Sequence, residues 1–158
     1  MSHSHFCAVA LLGVGAQYHR ACVLVQEYHY QGQRQLKLPG GMNEEGESPL
    51  QAAVREFEHE TGLVLARSAV FEVRRMDFDD HSKHFFVAIQ AEGEMRSEPM
   101  RDTGGEILEP PVWRDVDYDL LMEIFPSHKE GVINAIGWAA GKHRAFAEAV
   151  CDFLPPSQ

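Results

Sequence analysis

The chain has 158 residues, 44% of them apolar and 24% charged, with a formal net charge of −10. That length suits a single domain over 1–158, with flexible ends expected at 1–5 and 154–158. The acidic balance excludes a nonspecific grip on nucleic acid or anionic lipid, and no apolar run reaches the length of a membrane span. The N-terminal Met1-Ser2-His3-Ser4-His5-Phe6 lacks the basic-then-apolar form of a signal peptide. Cys7, Cys22 and Cys151 make no CxxC pair and read as free thiols of a reducing, cytoplasmic compartment.

Phe6 to Leu12 and Ala21 to Tyr28 are apolar and β-branched enough for strands, with Gly13-Val14-Gly15-Ala16 as the turn between them. Leu36 to Leu38 reads as a short strand entering the glycine turn Leu38-Pro39-Gly40-Gly41. A helix is expected from Pro49 to Thr61. Ser48 is its N-cap, Pro49 takes the first position, Gln51 completes a capping box and Gly62 ends it. Leu50, Ala53, Val54 and Phe57 form its buried stripe, while Glu56, His59 and Glu60, at i, i+3 and i+4, share another face.

Leu63 to Arg74 and His84 to Ala91 form a second strand pair, joined through Asp79-Asp80-His81-Ser82, which reads as a polar hairpin tip. Pro99 to Gly105 is a polar loop and Val112 to Arg114 a short strand. Helices are predicted near Tyr118 to Ile124 and from Lys129 to Phe153, with a break at Gly141. In the second, Ile133, Ile136, Trp138 and Ala140 would cover the sheet, and an apolar remainder suits a homodimer contact. Strands with one central helix and C-terminal helices give an α/β layered domain with a mixed sheet.

Two carboxylates four residues apart near a helix C-terminus repel each other and oppose the dipole, a penalty that a bound divalent cation reverses. Oxygen ligands of this kind suit magnesium or manganese, and Gly40 and Gly41 permit close backbone approach to metal or phosphate. From Gly41 to Leu63 the chain reads G-x5-E-x7-R-E-apolar-x-E-E-x-G-apolar, matching eight of nine specified positions; His59 stands where a glutamate is expected.

This segment resembles the signature box of the Nudix hydrolases. The resemblance implies an α/β/α sandwich with a mixed sheet, and Mg2+- or Mn2+-dependent hydrolysis of a nucleoside diphosphate linked to another moiety. It implies Glu56 and Glu60 as metal ligands, Glu56 also orienting the attacking water, and Gly41 or its neighbour Gly40 as a carbonyl donor. Glu47 and Arg55 would brace the loop against the helix and support catalysis.

His59 leaves three outcomes open. It ligates, and shifts preference toward metals that suit imidazole; it leaves a smaller but sufficient site; or the domain binds nucleotide without catalysis, as a regulatory module. A further acid is common in the family on a late loop before a tryptophan-bearing strand. Glu106 and Glu109 precede Trp113, and Glu106, beside flexible glycines, is preferred as extra ligand or general base. Tyr28, Tyr30 and Phe86 are candidates for stacking on a base. The substrate stays open among an 8-oxo-purine triphosphate, ordinary dNTPs and a nucleotide sugar.

Overall fold

The computed structural model describes residues 3–14, 20–101 and 105–153, with side chains up to 148. The turn expected at Gly15 and Ala16, the loop residue Gly104, the tail from 154 and the side chain of Cys151 lie outside the described residues. Among the described residues no helix is long and apolar enough to cross a membrane.

The described strands are β1 (Ser4–Val14), β2 (Ala21–Tyr30), β3 (Gln33–Lys37), β4 (Gly40–Met42), β5 (Phe71–Asp77), β6 (His81–Ala88), β7 (Met100–Arg101), β8 (Ile107–Leu108) and β9 (Val112–Asp115). The main path runs β5-β6-β1-β2-β8-β7, with β3 and β9 paired to β2 and β4 paired to β1. β1 and β6 are parallel and the other strand pairs antiparallel, so the sheet is mixed. The helices are α1 (Pro49–Thr61), α2 (Tyr118–Glu123), α3 (Pro126–Lys142) and α4 (Arg144–Phe153).

β1 is buried on both faces, and its alternation divides two cores. Cys7, Val9 and Leu11 meet Ala53, Val54 and Phe57 of α1. Ala8, Ala10 and Leu12 belong to the opposite core with Leu120 of α2 and Val132, Ala135 and Ala139 of α3. This is the expected α/β/α sandwich. The fully buried Phe57 alone contributes about 2 kcal/mol of apolar burial.

The site depends on a split in the sheet. Among the described residues, β1 and β2 pair only where Leu12 to Val14 meet Ala21 to Val23. Beyond that they diverge: β2 turns to β3, and Phe6 to Ala8 of β1 turn to β4. The glycine turn fills the gap, fastened by the Val9 amide donating to the Pro39 carbonyl at 3.1 Å.

Several expected boundaries move. Gly40 to Met42 form a strand, invisible to periodicity because two of the three residues have no side chain. Of the strand expected over Leu63 to Arg74, the first half is an isolated bridge, Val64 with Glu92, and a 3-10 turn at Arg67–Ala69; only Phe71 onward pairs with β6. Met100–Arg101, expected in a loop, pairs with β8. Ser4 and His5 belong to β1 instead of a loose end. The last helix starts at Pro126 and breaks at the extended His143, not Gly141, because an open-sided glycine adopts helical geometry without steric conflict. Val132 and Ala139 take the sheet-facing positions expected for Ile133 and Ala140, and Ile133 is exposed. His84 is buried within β6, away from the hairpin tip, with its ring held between His5 at 2.9 Å and Glu72 at 3.1 Å.

Candidate active site

α1 forms over the expected range because its ends are locally specified. The Ser48 hydroxyl accepts the Gln51 amide at 3.1 Å and the Gln51 side chain accepts the Ser48 amide at 2.9 Å, a reciprocal cap worth about 1 kcal/mol. Gly62 ends the helix at φ 83°, where its missing side chain matters twice: a Cβ there would lie 2.8 Å from the Glu94 carbonyl oxygen.

Glu47 and Arg55 form a two-pronged pair, Nε to Oε2 at 2.7 Å and Nη2 to Oε1 at 2.9 Å. Arg55 also donates to the Met42 carbonyl at 3.2 Å and to Glu56 Oε1 at 2.7 Å, so one guanidinium ties loop, β4 and helix together. Its hydrogen bonds hold the Glu47 carboxyl down to about 2, and the two carboxylates raise the guanidinium in turn. Glu60 lies deeper. Its Oε1 accepts the Gly40 amide at 2.7 Å and faces Lys37 Nζ at 3.6 Å. Burial raises its pKa, against the pull of Lys37 and the Gly40 amide.

These groups line one wall of a cavity of about 640 Å³. Gly40, Gly41, Glu56 and Glu60 form the acidic end; Phe6, Tyr28, Lys83, Phe125 and His128 lie around the rest. The Glu56 carboxylate lies close against Gly41, where a Cβ would come within 2.8 Å of Oε2 and 2.7 Å of Cδ. Two carboxylates and a neighbouring backbone carbonyl are hard oxygen donors, and they fit Mg2+ or Mn2+ that completes its shell with water and phosphate. Among the described residues, no three His, Cys, Asp or Glu side chains are grouped to hold a metal ion.

His59 is exposed and does not line this cavity, so the face shared by Glu56, His59 and Glu60 does not bring all three side chains into it. Tyr28 lines the cavity and stacks on Tyr30 at 6.0 Å, but Tyr30 is outside it. Phe86 is buried in the core beneath α1, and Phe6 supplies an aromatic wall instead. Neither Glu106 nor Glu109 lines the cavity. β8 pairs Leu108 with Tyr28 and Ile107 with His29. Glu106 immediately precedes β8, and Glu109, just after it, contacts His29 at 3.4 Å.

Three further residues support the site. Buried Gln26 donates to the carbonyls of Glu60 and Glu109, each at 3.3 Å, and Arg96 caps the Glu60 carbonyl at 2.8 Å. A polar residue within Val23-Leu24-Val25-Gln26 was the local sign of the former. His128, on α3, accepts the Leu38 amide through Nδ1 at 3.0 Å and so anchors the glycine turn. Its ring is packed among Phe6, Phe85 and Phe125, and burial pushes its pKa well below the ordinary 6.5. The unfolded chain therefore takes up a proton below pH 6.5 that the folded chain refuses. Stability is intact above that pH and falls on acidification. Thermal melts are expected to show a drop in Tm from pH 6.5 toward about 5, and a shallower drop in His128→Gln. Equal slopes in the two proteins would contradict this.

The family profile described as NUDIX domain matches residues 1–129. The chain is 32% identical over 98 residues to an 8-oxo-dGTP diphosphatase of Escherichia coli K12, covering 62% of this chain and 70% of that one. The fold is similar to a MutT NUDIX hydrolase from Burkholderia pseudomallei (TM-score 0.62, 18% identity, 85% of this chain and 98% of the other). It is also similar to the NUDIX domain of Shewanella oneidensis NrtR solved with ADP ribose (TM-score 0.66, 15% identity, 87% and 89%). The chain belongs to the Nudix family and is a hydrolase of phosphoric anhydride bonds.

Proposed function

We propose that the chain is a metal-dependent pyrophosphohydrolase that cleaves a nucleoside diphosphate linked to another moiety, by attack of water on phosphorus. The observation that carries this reading is the pair Glu56 and Glu60 in the acidic wall of a cavity whose remainder includes aromatic rings and lysine side chains. Mg2+ or Mn2+, held by Glu56, Glu60 and a carbonyl of Gly40 or Gly41, would neutralise the diphosphate and acidify bound water.

The chain's own residues prepare that chemistry. Glu47 fixes Arg55, and Arg55 holds Glu56 Oε1, which leaves Oε2 to orient the water. As water oxygen bonds to phosphorus the anhydride P–O bond breaks, the water proton passes to a carboxylate, and the leaving phosphate departs as an anion. We assign the proton to Glu106, which immediately precedes β8, whose Leu108 lines the cavity. Tyr28, Phe6 and Phe125 offer ring faces to a base, and Lys83 offers a cation to phosphate.

The relative from Escherichia coli makes 8-oxo-dGTP the first compound to test, with dNTPs, ADP-ribose and nucleotide sugars completing the panel. Incubation with Mg2+ or Mn2+ and a coupled phosphatase is expected to release phosphate from at least one compound. Nucleotide binding without turnover of any compound would overturn this reading.

A further inference from the structure

Lys37 belongs to neither the box pattern nor the brace, yet its ammonium group sits inside the metal end of the cavity. Nζ donates to the Gly40 carbonyl at 3.2 Å and lies 3.6 Å from Glu60 Oε1, above the Tyr28 ring at 5.8 Å. Its side chain is only 16% exposed and that of Glu60 12%, so this is not a solvated surface pair.

Gly40 and Glu60 are two of the groups that the pyrophosphohydrolase reading, on which this inference rests, makes available to a metal. An ammonium group in contact with both repels a divalent ion from that end of the site. The acidic end is also poor in charge. Glu56 is already paired with Arg55, and Glu60 faces Lys37. Two carboxylates facing two fixed cations do not recruit several divalent ions.

We propose that Lys37 is a tethered cation that takes the place of a second divalent ion beside the Gly40 carbonyl and Glu60 Oε1, so that the site holds one metal, between Glu56 and the other oxygen of Glu60. When substrate enters, the same ammonium group offers a donor to a phosphate oxygen, as lysine does at other phosphate sites.

Mn2+ alone, without nucleotide, tests this. Free Mn2+ is counted by electron paramagnetic resonance during titration of the whole chain, its Lys37→Met and Lys37→Gln variants, and Lys37→Arg, with circular dichroism as the check on folding. Wild type and Lys37→Arg are expected to bind a single Mn2+ per chain. A folded neutral variant is expected to bind an additional one, or to hold the first at least about tenfold more tightly. A wild type that already binds more than one Mn2+, or a folded neutral variant with unchanged count and affinity, overturns the role of Lys37 and leaves the hydrolase reading standing. No Mn2+ bound by any of the proteins overturns this inference together with the metal site on which that reading depends.

Discussion

Glu56→Gln is expected to lower kcat at least about a hundredfold on any compound the wild type hydrolyses, while leaving Tm nearly unchanged. The side chain does two things with its two oxygens. Oε1 accepts from Arg55 at 2.7 Å, a bond that an amide oxygen can keep, so the brace of Glu47, Arg55 and β4 survives. The other oxygen, packed against Gly41, becomes an NH2 group: a donor where the reaction needs negative charge. Fold and chemistry thus separate at one residue. Steady-state kinetics beside a thermal melt would measure both; activity retained within a few-fold would remove Glu56 from the reaction.

The two glycines of the turn predict a sharper separation. In Gly40→Ala the new methyl would sit 2.4 Å from the Cys7 carbonyl oxygen and 2.6 Å from Ala8 Cα. These are backbone atoms of the central, doubly buried β1, and they have nowhere to move. Overpacking of this kind costs about 3 kcal/mol or more, so urea unfolding should show a large loss of stability. In Gly41→Ala the clash is with the end of the Glu56 side chain, which can swing aside. That variant is expected to fold and to lose activity. If both variants melt alike, the distinction between a fold glycine and a site glycine is wrong.

The contrast also shows why some of the site was legible in the residues and some was not. Gly40 and Gly41 look equivalent in the sequence, and both offer openings toward metal and phosphate. The structure gives Gly40 a different task, the close approach of β4 to β1, because the strand that demands it lies more than thirty residues earlier in the chain. Similarly, helical spacing put His59 on a face with Glu56 and Glu60, but spacing says nothing about which part of that face meets the cavity. The cavity lies against the Glu56 and Glu60 side, and His59 faces solvent. Phe86 was a fair candidate for a base by residue type. The parity of β6 instead sends it under α1, whereas Phe6 on β1 reaches the cavity.

By itself the sequence determined α1 to the residue, because a capping box, an apolar stripe and a terminating glycine act within one or two helical turns. It also determined the family and the carboxylate pair, because the box is a contiguous pattern. Only the tertiary structure decided what surrounds that pair. Lys37 comes to Glu60 from β3, His128 to the Leu38 amide from another layer of the sandwich, and Gln26 to the end of α1 from β2. Each of these contacts joins segments that only packing brings together, so no local propensity encodes it.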